Sequence, residues 1–361
     1  MKKGIVIALV VLVGGALLIM PLLKEDPNVD PSVDVRPTAA VFDFNGDTGT
    51  FCGKESTLKI KIVESDLKKL EVVYLGQVIQ SWDKPSGNLS VTFTPQKVGT
   101  TSIQLISTAK DGREFTDSRL VRVLSDITPT DLKANIIKTI DHNPSNYTQG
   151  FDFYEGELYE STGQYGKSRV CRISVENGVD KDGLTLGMDA TYFGEGITIM
   201  NDIVYQLTWK GGKCFTYALE DNTIMLDGEF DYVQQEGWGL TNDGTSLIMS
   251  DGTERITFRN PQSFQIERMI DVYNDKGPMV SLNELEYIDG KIYANVYLTN
   301  LVIAIDPETG KILEEIDCSV LEKEGRGKGD VLNGIAHNDV DGKIYMTGKY
   351  WMKMFEVEFE K

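Results

Sequence analysis

From Thr38 to Ser125, apolar and polar residues alternate along the chain. Leu58-Ile60-Ile62, Val91-Phe93, Ile103-Leu105 and Val121-Val123 place apolar side chains at every second position, between turn clusters such as Pro85-Ser86-Gly87 and Asp111-Gly112. Successive side chains of a strand point to opposite faces, so this period predicts half-buried strands. Short strands at such spacing predict a small β-sandwich over residues 38–127, immunoglobulin-like in its pattern. No chemistry is suggested by its residues, and a spacer or adhesion module is the default reading.

Beyond Asp131 the pattern repeats itself. Gly156-Glu157-Leu158-Tyr159, Asp202-Ile203-Val204-Tyr205, Ser246-Leu247-Ile248-Met249, Gly290-Lys291-Ile292-Tyr293 and Gly342-Lys343-Ile344-Tyr345 share one turn-then-strand shape. Their last residues lie 46, 44, 44 and 52 positions apart. An all-β period in the forties is the mark of propeller blades, and five repeats predict a five-bladed β-propeller over 131–361. Asn135–Ile140 before the first repeat and Met354–Phe359 at the end both read as strands. The first is expected to complete the last blade and close the ring.

The N-terminal pattern is different again. Lys2 and Lys3 precede an uncharged, mostly aliphatic stretch from Gly4 to Leu23. Twenty such residues can span a bilayer, and the lysines place the N-terminus inside. Residues 1–23 therefore predict a signal anchor, with a signal peptide cleaved near Gly14-Gly15-Ala16 as the rival. Residues 24–37, with Pro27, Pro31, Pro37 and several acids, read as an extended linker. Either way the remainder is expected outside the cytoplasm, periplasmic or at the cell surface, and membrane contact is expected through the N-terminal segment only.

Composition narrows the partners. The chain of 361 residues is 41% hydrophobic and 25% charged, ordinary for a folded protein, with 35 Gly, 15 Tyr and 14 Phe favouring strands and turns. A net charge of -19 without a basic patch argues against a nucleic-acid partner, because polyanion binding draws on clustered Lys and Arg. Cys52, Cys171, Cys214 and Cys318 are far apart, with no CxxC and no zinc-ligand spacing; two disulfides and buried free thiols are both open. With His142 and His337 as the two histidines, no His-rich metal site can form and a Ser–His–Asp triad has few candidates. GxSxG, HExxH and GxGxxG are all absent.

What remains is a set of polar and aromatic residues beside glycines, near the blade strands. They are Tyr147-Thr148-Gln149-Gly150, Phe193-Gly194-Glu195-Gly196, Thr208-Trp209-Lys210, Glu236-Gly237-Trp238-Gly239, Leu282-Asn283-Glu284, Asn295-Val296-Tyr297 and Gly348-Lys349-Tyr350. Glycine beside a functional side chain suggests close backbone approach around a narrow channel. Taken together these segments resemble the plant and bacterial type of glutaminyl cyclase, a family of five-bladed propellers unrelated to the zinc-dependent animal enzymes. The resemblance covers roughly residues 135–361 and does not reach residues 1–130.

The resemblance implies an enzyme that cyclises N-terminal glutamine of peptides or proteins to pyroglutamate, releasing ammonia without a metal or other cofactor for catalysis. It leaves room for a structural cation in the channel. The family's essential carboxylate falls on Glu195 and its pocket residues on Gln149, Phe193, Trp209, Trp238, Asn283 and Lys349. Tyr147 stands where the family commonly has Phe, and Tyr297 where it commonly has Trp, so the pocket is expected to stay aromatic with altered polarity. Glu195 would serve as general acid and base if its pKa is raised by apolar neighbours. Asn283, Gln149, an indole N–H or Lys349 would donate to the oxyanion.

Each residue also has a plainer reading. Trp209 and Trp238 could pack between blades, Asn283 and Gln149 could cap backbone, and Lys349 could pair with an acid. Glu160, Glu236, Glu284 and Glu286 are rival carboxylates, read as blade structure or channel hydrogen bonding; His142 and His337 are read as structural. The competing functions are a non-catalytic surface propeller binding peptides or glycans, and a metal-dependent propeller hydrolase such as a lactonase, which needs several carboxylates and amides around one cation.

Overall fold

The computed structural model describes residues 39–44, 48–220 and 223–361. The apolar segment 4–23 and the linker after it lie outside them. Among the described residues no helix is long and apolar enough to cross a membrane.

Contacts divide the chain into two units. In the smaller, residues 59–91 and 103–118 follow the short strand Ala40–Phe42. Strand Leu67–Tyr74 turns through Leu75 and Gly76, both at positive φ, and pairs antiparallel with Gln77–Asp83. Its other edge pairs antiparallel with residues 103–109. Leu70, Val72, Ile103 and Leu105 are buried while their sequence neighbours are not, which is the period-two pattern of a one-sided sheet.

The larger unit joins residues 44–58, 92–102 and 119–361. It holds five four-stranded antiparallel blades. Blade 1 is Thr148–Tyr154, Glu157–Thr162, Arg169–Ile173 and Asp180–Gly187; blade 2 is Gly194–Met200, Ile203–Thr208, Lys213–Glu220 and Thr223–Asp231. Blade 3 is Leu240–Asn242, Leu247–Ser250, Arg255–Arg259 and Ile266–Asp271; blade 4 is Leu282–Ile288, Lys291–Val296, Leu301–Ile305 and Ile312–Asp317. Blade 5 takes Leu332–Asn338, Lys343–Gly348 and Lys353–Glu360 from the end of the chain and its outer strand, Thr130–Asp141, from before blade 1. Phe355 pairs with Thr139 and Met354 with Ile140, so the ring closes as the sequence pattern predicts. The same early strand pairs in parallel with blade 4 through residues 130–133.

The repeated tetrapeptides open the second strand of every blade. In blades 1, 2 and 4 the two residues before that strand (Glu155-Gly156, Asn201-Asp202 and Asp289-Gly290) both have positive φ, the conformation of a two-residue hairpin turn whose twist matches the strands. The last interval of 52 is longer because helix Ser319–Gly325 is inserted between blades 4 and 5.

The core lies between the blades. Tyr159 and Val170 of blade 1 pack with Ile197, Val204 and Phe215 of blade 2, and Ile248 and Phe258 of blade 3 pack with Leu285, Ile292 and Ile303 of blade 4. Trp351 and Phe355 join Tyr293 and Val302 across blades 4 and 5. All four cysteines are free, buried thiols.

The innermost strands of the blades belong to different ladders, and buried carboxylates bridge them. Glu284 of blade 4 accepts the N–H of Phe151 (3.2 Å) in blade 1 and of Ile335 (2.8 Å) in blade 5. Glu286 accepts from His337 N (2.8 Å), and Asp152 from Ile199 N (2.7 Å). Glu160 accepts from Asn146 Nδ2 (2.6 Å) and Thr148 Oγ1 (2.6 Å), with His142 Nε2 at 3.3 Å. Three of the rival carboxylates, and His142, are therefore bound into the blade framework.

The expected start of the propeller near Asp131 runs one residue inside a strand, and earlier residues hold on to the blades. Asp126 pairs with Lys311 (2.6 Å), Ser125 N donates to Asn274 O (3.1 Å), Thr128 Oγ1 donates to Asp275 Oδ2 (2.8 Å) and Val98 N donates to Thr309 O (3.2 Å). At about 1 kcal/mol for each of the four lost bonds, a chain shortened to begin at Asp131 is expected to melt roughly 8–16 °C below the full protein. Removing residues through Ile140 as well should expose the edge of Lys353–Glu360 and cause aggregation, seen by light scattering. Unchanged melting in the first chain would show that residues 92–130 add nothing to the blades.

Candidate active site

Every inner strand begins beside the end of its blade's second strand, because the two are antiparallel. Thr148 faces Thr162, Gly194 faces Thr208, Leu282 faces Val296 and Leu332 faces Gly348. In each of these four blades the ladder slips by one residue just past that pair. Such a bulge leaves a residue unpaired and re-aims its side chain. The displaced residues are Gln149 in blade 1, Glu195-Gly196 in blade 2, Asn283-Glu284 in blade 4 and Asn333-Gly334 in blade 5. Gly196 is required by space: a Cβ there would stand 2.5 Å from Leu240 N and 2.6 Å from Trp238 O. At Gly239 it would stand 2.0 Å from Asn283 O.

The bulges and the residues following the second strands line one cavity of about 200 Å³. Gln149, Glu195 and Asn283 come from inner strands, Tyr147, Phe193 and Trp238 from the residues just before them, and Trp209, Tyr297 and Lys349 from just after second strands. All nine residues that the sequence singled out meet here. Gln164, which follows the second strand of blade 1, completes the wall and was not foreseen. Aligning the five repeats points to its neighbour, since Gly163 occupies the place in blade 1 that Trp209, Tyr297 and Lys349 occupy in theirs. Gln164 adopts a φ of +100°, a region where side chains are strained.

Glu195 is 4% exposed. Gln149 Nε2 donates to its Oε1 (2.9 Å), and the Gln149 carbonyl accepts from Lys349 Nζ and, more weakly, from Asn333 Nδ2 (3.4 Å). Lys349 thus fixes which way the Gln149 amide points, and the amide fixes Glu195. Burial pushes the Glu195 carboxyl well above its ordinary value; Lys349 pulls it down and Glu236 pushes it further up. Burial also drives Lys349 down to about 8, against the favourable pull of Glu195 and Asp330. Its ammonium sits 4.8 Å from the Tyr147 ring centre and 5.1 Å from that of Tyr297, so aromatic faces replace part of its lost hydration.

Phe193 meets Tyr147 and Trp209 edge-on, and Trp238 meets Tyr297 likewise. Both indole N–H groups are already engaged, donating to Glu236 Oε2 at 2.7 Å (Trp209) and 2.8 Å (Trp238). An indole has a single donor, so the expectation that one of them serves an oxyanion does not hold in this arrangement. Asn283 Oδ1 is buried and has no hydrogen-bond partner among the described residues. The pocket therefore offers one carboxyl, one ammonium, three amides and an aromatic lining.

Residues 111–359 match the family model described as glutamine cyclotransferase. The chain belongs to the glutamine cyclotransferase family. A glutaminyl-peptide cyclotransferase of Arabidopsis thaliana is 35% identical over 233 residues, covering 63% of this chain and 71% of that protein. The crystal structure of the Myxococcus xanthus glutaminyl cyclase is 34% identical and aligns with a TM-score of 0.59, over 64% of this chain and 98% of its own. Within this cyclotransferase the matched span includes the whole propeller and every pocket residue.

Trp209 and Trp238 are only half-buried and stand outside the inter-blade clusters, whereas Trp351 is fully buried within one. Trp351→Ala is therefore expected to cost about 3–5 kcal/mol, and Trp209→Ala or Trp238→Ala about 1 kcal/mol each, by chemical denaturation. Equal losses at all three would make the pocket tryptophans packing residues.

Proposed function

We propose that this chain converts N-terminal glutamine of peptides and proteins into pyroglutamate, with Glu195 moving the protons. The observation that carries the reading is that Glu195 is the one carboxyl group in the pocket wall, buried and with its pKa raised. The family and both relatives act in the same sense by name. A cavity of about 200 Å³ is below the roughly 300–1,000 Å³ of drug-sized sites, and suits one curled side chain at a chain end.

In the reaction the substrate's α-amine nitrogen bonds to its own γ-carbonyl carbon, and the bond from that carbon to the amide nitrogen breaks. Holding the side chain folded between Phe193, Trp209 and Trp238 supplies the proximity. The Glu195 carboxylate takes a proton from the attacking amine and returns it to the departing nitrogen, which leaves as ammonia. A carboxyl whose pKa lies nearer neutrality is suited to both transfers. Lys349, with donors beyond the one given to Gln149, is placed to stabilise the oxyanion, and Asn283 Oδ1 to accept from the amine or the carboxamide. Since the wall holds one carboxyl and no imidazole, its donor set is that of proton transfer rather than of metal ligation.

Glu195→Gln is expected to lower kcat on a Gln-initiated peptide by about 10²–10⁴-fold, and chelator should leave the native rate unchanged. Stability moves the other way. The folded pKa lies above the ordinary 4.5, so ionising Glu195 in the fold costs stability as pH rises from there through the raised value. The variant should match the native protein near pH 4 and melt higher at alkaline pH. Near-native turnover by the variant would place the proton shuttle elsewhere.

We further propose that the propeller works outside the cytoplasm, tethered by the apolar segment 4–23, with the sheets of residues 39–124 as an immunoglobulin-like spacer. Lys2, Lys3 and the length of that segment support this reading. Protease added to intact cells should remove the propeller from a membrane-bound stub; protection of the propeller under those conditions would argue for the opposite side.

A further inference from the structure

Glu236 lies in the loop between the outer strand of blade 2 and the inner strand of blade 3. One of its oxygens, Oε2, receives both indole N–H groups, from tryptophans that belong to different blades. The other oxygen faces Lys210 Nζ at 3.4 Å, and that ammonium sits 4.0 Å from the centre of the Trp209 ring. The loop backbone is held without this side chain: Gly237 N donates to Trp209 O (2.9 Å), Trp238 N to Ser250 O (3.1 Å), and Gly196 N to Trp238 O (2.7 Å). What the carboxylate adds is the tilt of the two rings. Half-buried indoles on loop segments have broad freedom about their last torsion, and one shared acceptor removes it for both.

We propose that Glu236 is a positioning residue for the cyclisation: a single carboxylate that aims the two pocket tryptophans at the substrate and adds its negative charge to the field at Glu195. The proposal rests on the reading of Glu195 as the proton carrier. The charged and titratable groups around Glu195 are Lys349 from blade 5, Tyr147 and Tyr297 beside blades 1 and 4, Tyr232 on the blade 2 side, and Glu236. Of these, Lys349 favours the ionised carboxylate and Glu236 disfavours it. Two groups of opposite sign thus bracket Glu195, one acting through Gln149 and the other standing behind the tryptophans.

The test uses the full chain with Glu236→Ala and Glu236→Gln, measuring kcat and KM on a Gln-initiated peptide across pH, indole fluorescence and melting temperature. Losing two charge-assisted hydrogen bonds, Glu236→Ala should lower kcat/KM by about tenfold or more, with altered indole emission and little change in melting. Glu236→Gln keeps a carbonyl acceptor and should recover much of that loss, while the acidic limb of its pH profile moves to lower pH because a charge opposing Glu195 ionisation is gone. A Glu236→Ala protein within about twofold of native kcat/KM, or a Glu236→Gln profile with an unmoved acidic limb, would overturn the proposal. A fully active Glu195→Gln sinks the proton-carrier reading whatever Glu236 does. An inactive Glu195→Gln beside a near-native Glu236→Ala sinks this proposal alone.

Discussion

A β-strand cannot send two successive side chains to the same face without breaking step with its partner. The propeller uses that constraint at one point in each of four blades, where the inner strand slips one residue against the second strand. The slip releases Gln149, Glu195, Asn283 and Asn333 from ladder pairing while leaving them anchored by rigid strand on one side. Glycine follows three of the four, and at Gly196 the backbone of the next blade comes so close that no side chain fits. The cavity is therefore a product of strand register. Its position at one end of the ring follows from the antiparallel order of the two innermost strands.

Electrostatics then sort the buried acids into two kinds. Glu284, Glu286 and Asp152 are bound to backbone N–H groups of other inner strands and tie the ring together. Among the described residues Glu195 accepts one side-chain donor, Gln149, and it shares a mostly aromatic pocket with Asn283 and Lys349. A carboxylate satisfied by several fixed N–H groups is committed to the framework; one with a single amide partner keeps lone pairs for a ligand. Lys349 limits the penalty of burying Glu195 without neutralising it through direct contact, since the Gln149 amide stands between them. That spacing lets the carboxyl remain both buried and exchangeable.

Much of this was legible in the residues. The tetrapeptide repeat located the second strand of each blade, and Asn135–Ile140 was readable as the strand that closes the ring. The pocket residues were legible from a family resemblance built on separate short clusters, and the structure brings all nine together. Gln164 escaped because Gly163-Gln164 carries no aromatic or charged signal, and repeat register points to Gly163, one residue earlier. Glu236 reads as framework because a sequence does not show that two indoles with two strands between them share one oxygen. The boundary near Asp131 was misplaced for a related reason: Asp126, Thr128 and Val98 reach the blades through polar contacts, which leave no periodic trace.

The ring is closed by a strand that the ribosome makes before any blade and that pairs with Lys353–Glu360 of blade 5. Among the described residues the backbone of Thr130–Asp141 pairs with residues 314–317 and Lys353–Glu360, both of which emerge after most of the propeller. Its sequence separation from these partners is among the largest in the chain, and contacts of that kind form late and slowly. Closure of the ring is thus tied to the synthesis of Lys353–Glu360: a nascent chain carries an open strand until those residues arrive. A chain stopped before Lys353 would have every pocket side chain and still lack the hydrogen-bonded seam that keeps the ring from opening.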